Sequence, residues 1–231
     1  MQNDSRKDIF VISLGGSLVV PDGIDTTFLV QFKTLIERQA ERGRGFVLVV
    51  GGGRTARRYQ DAARALISLA NEDADWLGVH STRLNAHLLR TIFKEIAHPK
   101  LFSNEEDITA FDEPVAVGAG WRPGWSTDYV ATSIAEKIGA KQVANLSNIN
   151  YVYDSDPRVN PNAKKFDHVS WGEYRTLIPE SWSPGLNSPF DPVASKKAEA
   201  LGLTVAIMNG TKLDNFERYL GGEPFEGTLI G

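Results

Sequence analysis

The chain has 231 residues, a formal net charge of −4, 42% apolar and 23% charged residues, and no cysteine. That composition is ordinary for a soluble globular protein, and it excludes disulfides, thiolate metal sites and a cysteine nucleophile. The acidic balance argues against a broad nucleic-acid surface, which would carry the opposite sign.

Strand and helix patterns alternate almost from end to end. After a polar start, residues 9–14 form a nearly continuous apolar run, as a strand covered on both faces requires, and Gly15-Gly16-Ser17 follows. That run is too short for a signal peptide, and no stretch approaches the ~20 apolar residues of a membrane span. A cytoplasmic protein with no membrane partner is expected. Asp25 can cap a helix beginning near Thr26, whose apolar stripe is Phe28, Leu29, Phe32, Leu35 and Ile36. Gly43 and Gly45 close it, and residues 46–50 read as a second buried strand running into Gly51-Gly52-Gly53.

Helices are predicted over residues 55–69 and 75–97, the latter stopped by His98-Pro99, because the residue before proline disfavours the α region. Residues 115–117 read as a strand, 127–138 as a helix and 142–146 as another buried strand. Residues 151–154 and 166–169 are candidate hairpin strands. A helix opens at Asp191-Pro192 and reaches Leu201, 204–208 is a last core strand, and 228–230 adds an edge. The pattern predicts one α/β domain over residues 1–231, with a mainly parallel sheet between helical layers.

Four segments carry the chemistry. Gly51-Gly52-Gly53 supplies closely spaced N–H donors, since glycine lets an anion approach the backbone, and the following helix adds the positive end of its dipole. Arg54 and Arg57, one helical turn apart, can face the same anion; the plainer alternative is a tight strand-to-helix turn with solvated arginines. Gly15-Gly16-Ser17 admits the same two readings. The segment from Gly120 to Asp128 holds Trp121, Arg122, Gly124, Trp125, Ser126 and Thr127: either an N-cap for the next helix or a stacking, hydroxyl-donating wall for a nucleobase. Last, a strand delivers Ser147 and Asn148 to its C-terminal end, where open α/β sheets place ligands. Beyond it, Tyr153 can pack on a purine, and Asp156 can accept from a ribose or from its own loop. Trp76, Trp171 and Trp182 read as packing residues. His80, His87, His98 and His168 read as surface or packing groups, and no protein metal ligands are expected.

At these residues the chain resembles the amino acid kinase superfamily and, within it, the uridylate kinases of archaeal type. The likeness rests on Leu14-Gly15-Gly16-Ser17, Val50 to Arg57, Ser126-Thr127-Asp128, Asn148 to Tyr153 with Asp156-Pro157, and Gly227-Thr228, in register from Ile9 to Gly231. It implies an α/β/α sandwich, usually hexameric, that moves a phosphoryl group from ATP to UMP with Mg²⁺. By position it implies that Gly16 and Ser17 lie against the transferring phosphate and that Gly52, Asp75, Gly124, Trp125, Ser126 and Thr127 bind UMP. It likewise implies that Gly15, Gly53, Arg57, Ser147, Asn148, Tyr153 and Asp156 line the ATP side, with Lys196 near the donor phosphates. Asp128, at a helix start, reads as an organiser rather than a base, and Arg54 as a further source of charge.

Three departures stand out. Ser13 occupies a position where many superfamily members carry lysine, so charge must come from Lys196, Arg54 or Mg²⁺. The loop holding Trp121, Arg122 and Trp125 is altered and one residue longer, and Asn150-Tyr151 replaces Asp-Gly. Two other readings keep the scaffold: a kinase with a carboxylate, carbamate or isoprenoid phosphate acceptor, and a non-catalytic assembly that binds nucleotides or stores oxyanions.

Overall fold

The computed structural model describes residues 8–181 and 188–231, so the polar start at 1–7 and Trp182 lie outside the described residues. The strands are β1 (Asp8–Leu14), β2 (Arg44–Val50), β3 (Val115–Gly118), β4 (Gln142–Ser147), β5 (Val152–Tyr153), β6 (Lys165–Phe166), β7 (His168–Val169), β8 (Thr204–Asn209) and β9 (Thr228–Ile230). Seven of them form one sheet in the order β3-β2-β1-β4-β8-β9-β7, and β5 and β6 form a separate antiparallel pair. From β3 to β8 every pairing is parallel; β9 then runs antiparallel to β8, with β7 parallel to β9.

The helices are α1 (Gly16–Val19), α2 (Thr26–Glu41), α3 (Gly53–Leu66), α4 (Asn71–Ile92), α5 (Thr127–Ile138), α6 (Trp171–Thr176), α7 (Pro192–Ala200) and α8 (Leu213–Leu220). Successive strand side chains alternate between two helical layers. Ile12, Leu14, Phe46, Leu48, Val50 and Leu146 meet Phe28, Phe32, Ala86, Leu89 and Phe216 from α2, α4 and α8. Val11, Val47, Val49, Val143, Val205 and Ile207 meet Val130, Ile134, Tyr174, Ala194 and Ala198 from α5, α6 and α7. The α/β/α sandwich is the expected one.

Several boundaries differ from expectation. Gly45 lies inside β2 rather than closing α2, and α3 begins two residues earlier and ends three earlier than predicted. Helix α4 begins four residues earlier and stops at Ile92, well before Pro99, because the sheet edge takes the chain first. Val115 N–H donates to Ile96 O at 3.1 Å and His98 N–H to Val115 O at 2.7 Å, which draws Ala97 beside β3. Residues 166–169 split: β6 pairs with β5, while β7 joins the main sheet as its edge and leaves β9 inside. Trp76 is 38% exposed rather than packed, with its ring stacked on His80.

Candidate active site

Chain order reverses at β1, which has β2 on one side and β4 on the other, so a crevice opens beyond the carboxyl ends of these strands. Both glycine turns sit there. Gly15 N–H donates to Leu146 O at 2.8 Å and Gly51 N–H to Leu14 O at 2.9 Å, so the ladders of the sheet carry on into the turns. The turns touch backbone to backbone. A Cβ on Gly16 would fall on the Gly53 amide and within 2.5 Å of the Gly51 carbonyl, and Gly53 starts α3 with φ +61°.

Above this contact Arg57 Nη2 donates to Ser17 Oγ at 3.4 Å, joining α3 to the first turn. Arg54 turns the other way: its Nε lies 3.9 Å from Asp22, which also accepts from Arg58 Nη2 at 2.7 Å. The two arginines that share a helix face by spacing are therefore divided, with Arg57 over the turns and Arg54 on Asp22.

Helix α4 forms the back wall. Asn85 Nδ2 donates to Gly51 O at 2.9 Å and to Gly52 O at 3.1 Å, which holds the second turn open. Thr82 Oγ1 accepts from Gly120 N–H at 2.7 Å, and Arg83 Nη2 donates to Trp121 O at 2.9 Å. Asp75 Oδ2 accepts from Gly124 N–H at 2.7 Å, which brings together two residues expected on the UMP side. Burial raises the Asp75 carboxyl above its ordinary range, and the Gly124 hydrogen bond partly offsets that. Thr82, Arg83 and Asn85 carry this geometry and do not figure in the sequence reading. Their signal was present: Ser81, Thr82 and Asn85 are polar residues on the buried side of an amphipathic helix.

The two loop tryptophans part company. Trp121 is 5% exposed and its Nε1 donates to Phe102 O at 3.2 Å, so it belongs to the core and not to a base-stacking wall. The indole N–H finds a backbone carbonyl, which lets the ring bury without an unsatisfied donor. Trp125 stays half-buried, 4.7 Å from the Tyr129 ring, with the Arg122 guanidinium 3.8 Å above its own centroid.

At the start of α5, Ser126 Oγ accepts from Tyr129 N–H at 3.1 Å, an ordinary N-cap, and Thr127 opens the helix. Asp128 is a hub below the crevice. Its Oδ1 accepts from Ser13 Oγ at 2.7 Å and from Asn145 Nδ2 at 2.9 Å, and its Oδ2 accepts from Asp191 N–H at 3.1 Å. Ser13 and Asn145 are register partners on β1 and β4, which is why both reach one oxygen. Burial pushes the Asp128 carboxyl up to about 7; the Ser13 hydrogen bond works against that shift and the Asp191 charge adds to it. Lys196 is exposed on α7, and no hydrogen bond or ion pair joins it to Asp128 among the described residues.

On the other side of the crevice, Ser147 ends β4 with its carbonyl accepting from Gly210 N–H at 2.8 Å, and Asn148 is exposed beyond it. Tyr153 lies on β5, edge-on to Tyr151 with ring centroids 6.4 Å apart. Asp156 serves its own loop, accepting from Arg158 N–H at 2.9 Å and from Arg158 Nη2 at 2.8 Å, and these hold its carboxyl below its usual range. Thr228 Oγ1 accepts from Val152 N–H at 2.8 Å and donates to Phe166 O at 2.5 Å, so the Gly227-Thr228 motif pins both hairpin strands.

The two glycine turns and the Arg57 guanidinium thus lie together at the switch of a parallel sheet, a place where backbone amides and a cation can meet phosphate oxygens. Residues 8–209 match the family model described as the amino acid kinase family. The chain is 34% identical over 224 residues to a uridylate kinase of Methanocorpusculum labreanum, covering 96% of this chain and 94% of that one. It is 36% identical over 208 residues to a uridylate kinase of Methanococcoides burtonii, covering 88% and 87%. The crystal structure of uridylate kinase from Archaeoglobus fulgidus superposes with a TM-score of 0.80 at 30% identity, over 97% of this chain and 99% of that one. On the fold, the site and these likenesses together, the chain belongs to the amino acid kinase family.

Proposed function

We propose that this protein is a UMP kinase, transferring the γ-phosphoryl group of ATP to UMP to give UDP and ADP, with residues 1–231 working as one unit. The observation that carries the reading is the backbone contact of Gly16 with Gly51 and Gly53, which sets the two glycine turns directly against each other. Uridylate kinases of similar sequence over nearly the whole chain support the acceptor. Phosphoryl transfer asks the protein mainly for alignment and for donors around the equatorial oxygens. The turn amides and Arg57 supply these, with Ser17 between them. The acceptor is already a phosphate anion, so no general base is required, and Asp128 organises the strand ends from below.

In this reading UMP lies along Gly52, Asp75 and Gly124 to Thr127, and ATP along Gly15, Gly16, Gly53, Ser147, Asn148, Tyr153 and Asp156. Lys196 is the further positive charge on the donor side, and Arg54 a lesser one because Asp22 already engages it. Mg²⁺ would come with ATP and would neutralise charge on its phosphate oxygens; among the described residues no group of three His, Asp or Glu forms a cage for it. The enzyme would serve pyrimidine nucleotide synthesis in the cytoplasm, and no helix among the described residues is long and apolar enough to cross a membrane. Exposed Trp76 and Leu84 on α4 support self-association, with the hexamer as the family expectation.

The test is ADP release from Mg²⁺-ATP against UMP, CMP, dUMP, AMP and GMP. UMP-dependent release well above the other acceptors is expected. Turnover with a different monophosphate alone, or none at all, overturns the reading.

A further inference from the structure

Most arginines near the crevice are already engaged: Arg57 on Ser17, Arg54 and Arg58 on Asp22, Arg83 on the Gly120 and Trp121 carbonyls. Arg122 differs. It is exposed, and among the described residues its guanidinium has no hydrogen-bond or ion-pair partner, only the Trp125 ring 3.8 Å below it. That ring is itself fixed, 4.7 Å from Tyr129 on α5 and 5.8 Å from the buried Trp121. Two residues along, the loop is tied to α4 through Gly124 N–H and Asp75. A planar donor fork is therefore held in place at the rim of the proposed acceptor site with its N–H groups unspent.

We propose that Arg122 is the specificity-determining residue for the acceptor base, donating to the O4 oxygen of uracil and thereby rejecting cytosine. The inference rests on the UMP kinase reading above. A guanidinium offers five N–H donors and no acceptor. At the position where uracil, like thymine, presents an acceptor oxygen, cytosine presents an NH₂ donor. A fixed donor therefore gains a hydrogen bond from one base and meets an unpaired donor on the other. Stacking on Trp125 keeps the fork in one plane, so little side-chain freedom remains to be lost on binding. The same contact explains why this longer loop carries Trp and Arg together: the indole is the seat of the guanidinium, not of the base.

The test compares kcat/KM for UMP and CMP, at saturating Mg²⁺-ATP, in the full chain and in Arg122→Ala and Arg122→Gln. Arg122→Ala is expected to lower the UMP-to-CMP ratio by about 10-fold or more, with the loss falling on KM for UMP and KM for ATP unmoved. Arg122→Gln, whose amide oxygen can accept from the cytosine NH₂, is expected to gain in kcat/KM for CMP. An unchanged ratio in both variants overturns the proposal. So does a parallel loss for UMP and CMP, which would make Arg122 a phosphate contact. Failure of the kinase reading is a different result: a natural chain that releases no UMP-dependent ADP.

Discussion

Ser13 Oγ donates to Asp128 Oδ1 at 2.7 Å, so the end of the first strand carries a neutral donor to a carboxyl group that three elements share. The side chain is 4% exposed and lies below the glycine turn rather than in the crevice. Ser13→Ala should therefore act on stability before chemistry. A loss of about 1–3 kcal/mol is expected from one acceptor left short of a donor, read from the urea midpoint at constant slope. A stability loss near zero together with abolished turnover would place Ser13 in the reaction instead.

Asp128 gives stability a pH signature. Burial raises its carboxyl from 3.8 to about 7, so between these values the folded chain keeps a proton that the unfolded chain releases. The contribution is complete below about pH 4 and is lost as pH rises through about 7. Asp75 and Asp191, also raised chiefly by burial, act in the same direction. Urea midpoints measured from pH 4 to 8 should show this decline in the natural chain and a flatter profile in Asp128→Asn. Parallel profiles would remove Asp128 as its source.

The contact between the turns sets up a paired glycine test. Gly16→Ala drives a methyl group into the Gly51 and Gly53 backbone, which has no flexible side chain to yield. A drop of several kcal/mol, or failure to fold, is expected. Gly23→Ala meets nothing within 4 Å and should fall within about 0.5 kcal/mol of the natural chain by thermal unfolding. Equal effects at the two sites would contradict the contact.

Arg57 is the arginine over the turns, and Arg57→Ala should cut turnover by ~10²-fold or more, the scale of losing one group that stabilises developing charge. Arg54→Ala should cost less, because Asp22 already engages that side chain. Single-turnover phosphoryl transfer with both variants ranks the two. Greater damage from Arg54→Ala would reverse the assignment.

Much of this was readable from the chain. The buried strands, the helix at 127–138 with its Ser126 cap, and the two glycine turns follow from local pattern, and the structure repeats them within a residue or two. Helices α6 and α8 answer to no predicted element, although Ser170 with Glu173, and Leu213, Phe216 and Leu220, carry helical signals. Where expectation and structure part, long-range contacts decide. Trp121 sits among glycine and proline, and only the Phe102 carbonyl, 19 residues away, makes its burial possible. The place of β9 between β8 and β7 likewise depends on pairings that no window of sequence contains. The α4 hydrogen bonds to the loops span 20 to 49 residues, so the polar face is legible in the sequence and its targets are not.

The glycine contact also bears on how such a protein can change over generations. Where backbone lies on backbone, every side chain is an intrusion, so the contact between the turns has no room for one at Gly16 or Gly53. The loop from Gly120 to Trp125 hangs instead on Asp75, Thr82 and Arg83, three side chains that can be exchanged one at a time. Change is thereby easier to absorb in that suspended loop than at the contact on which the two turns rest.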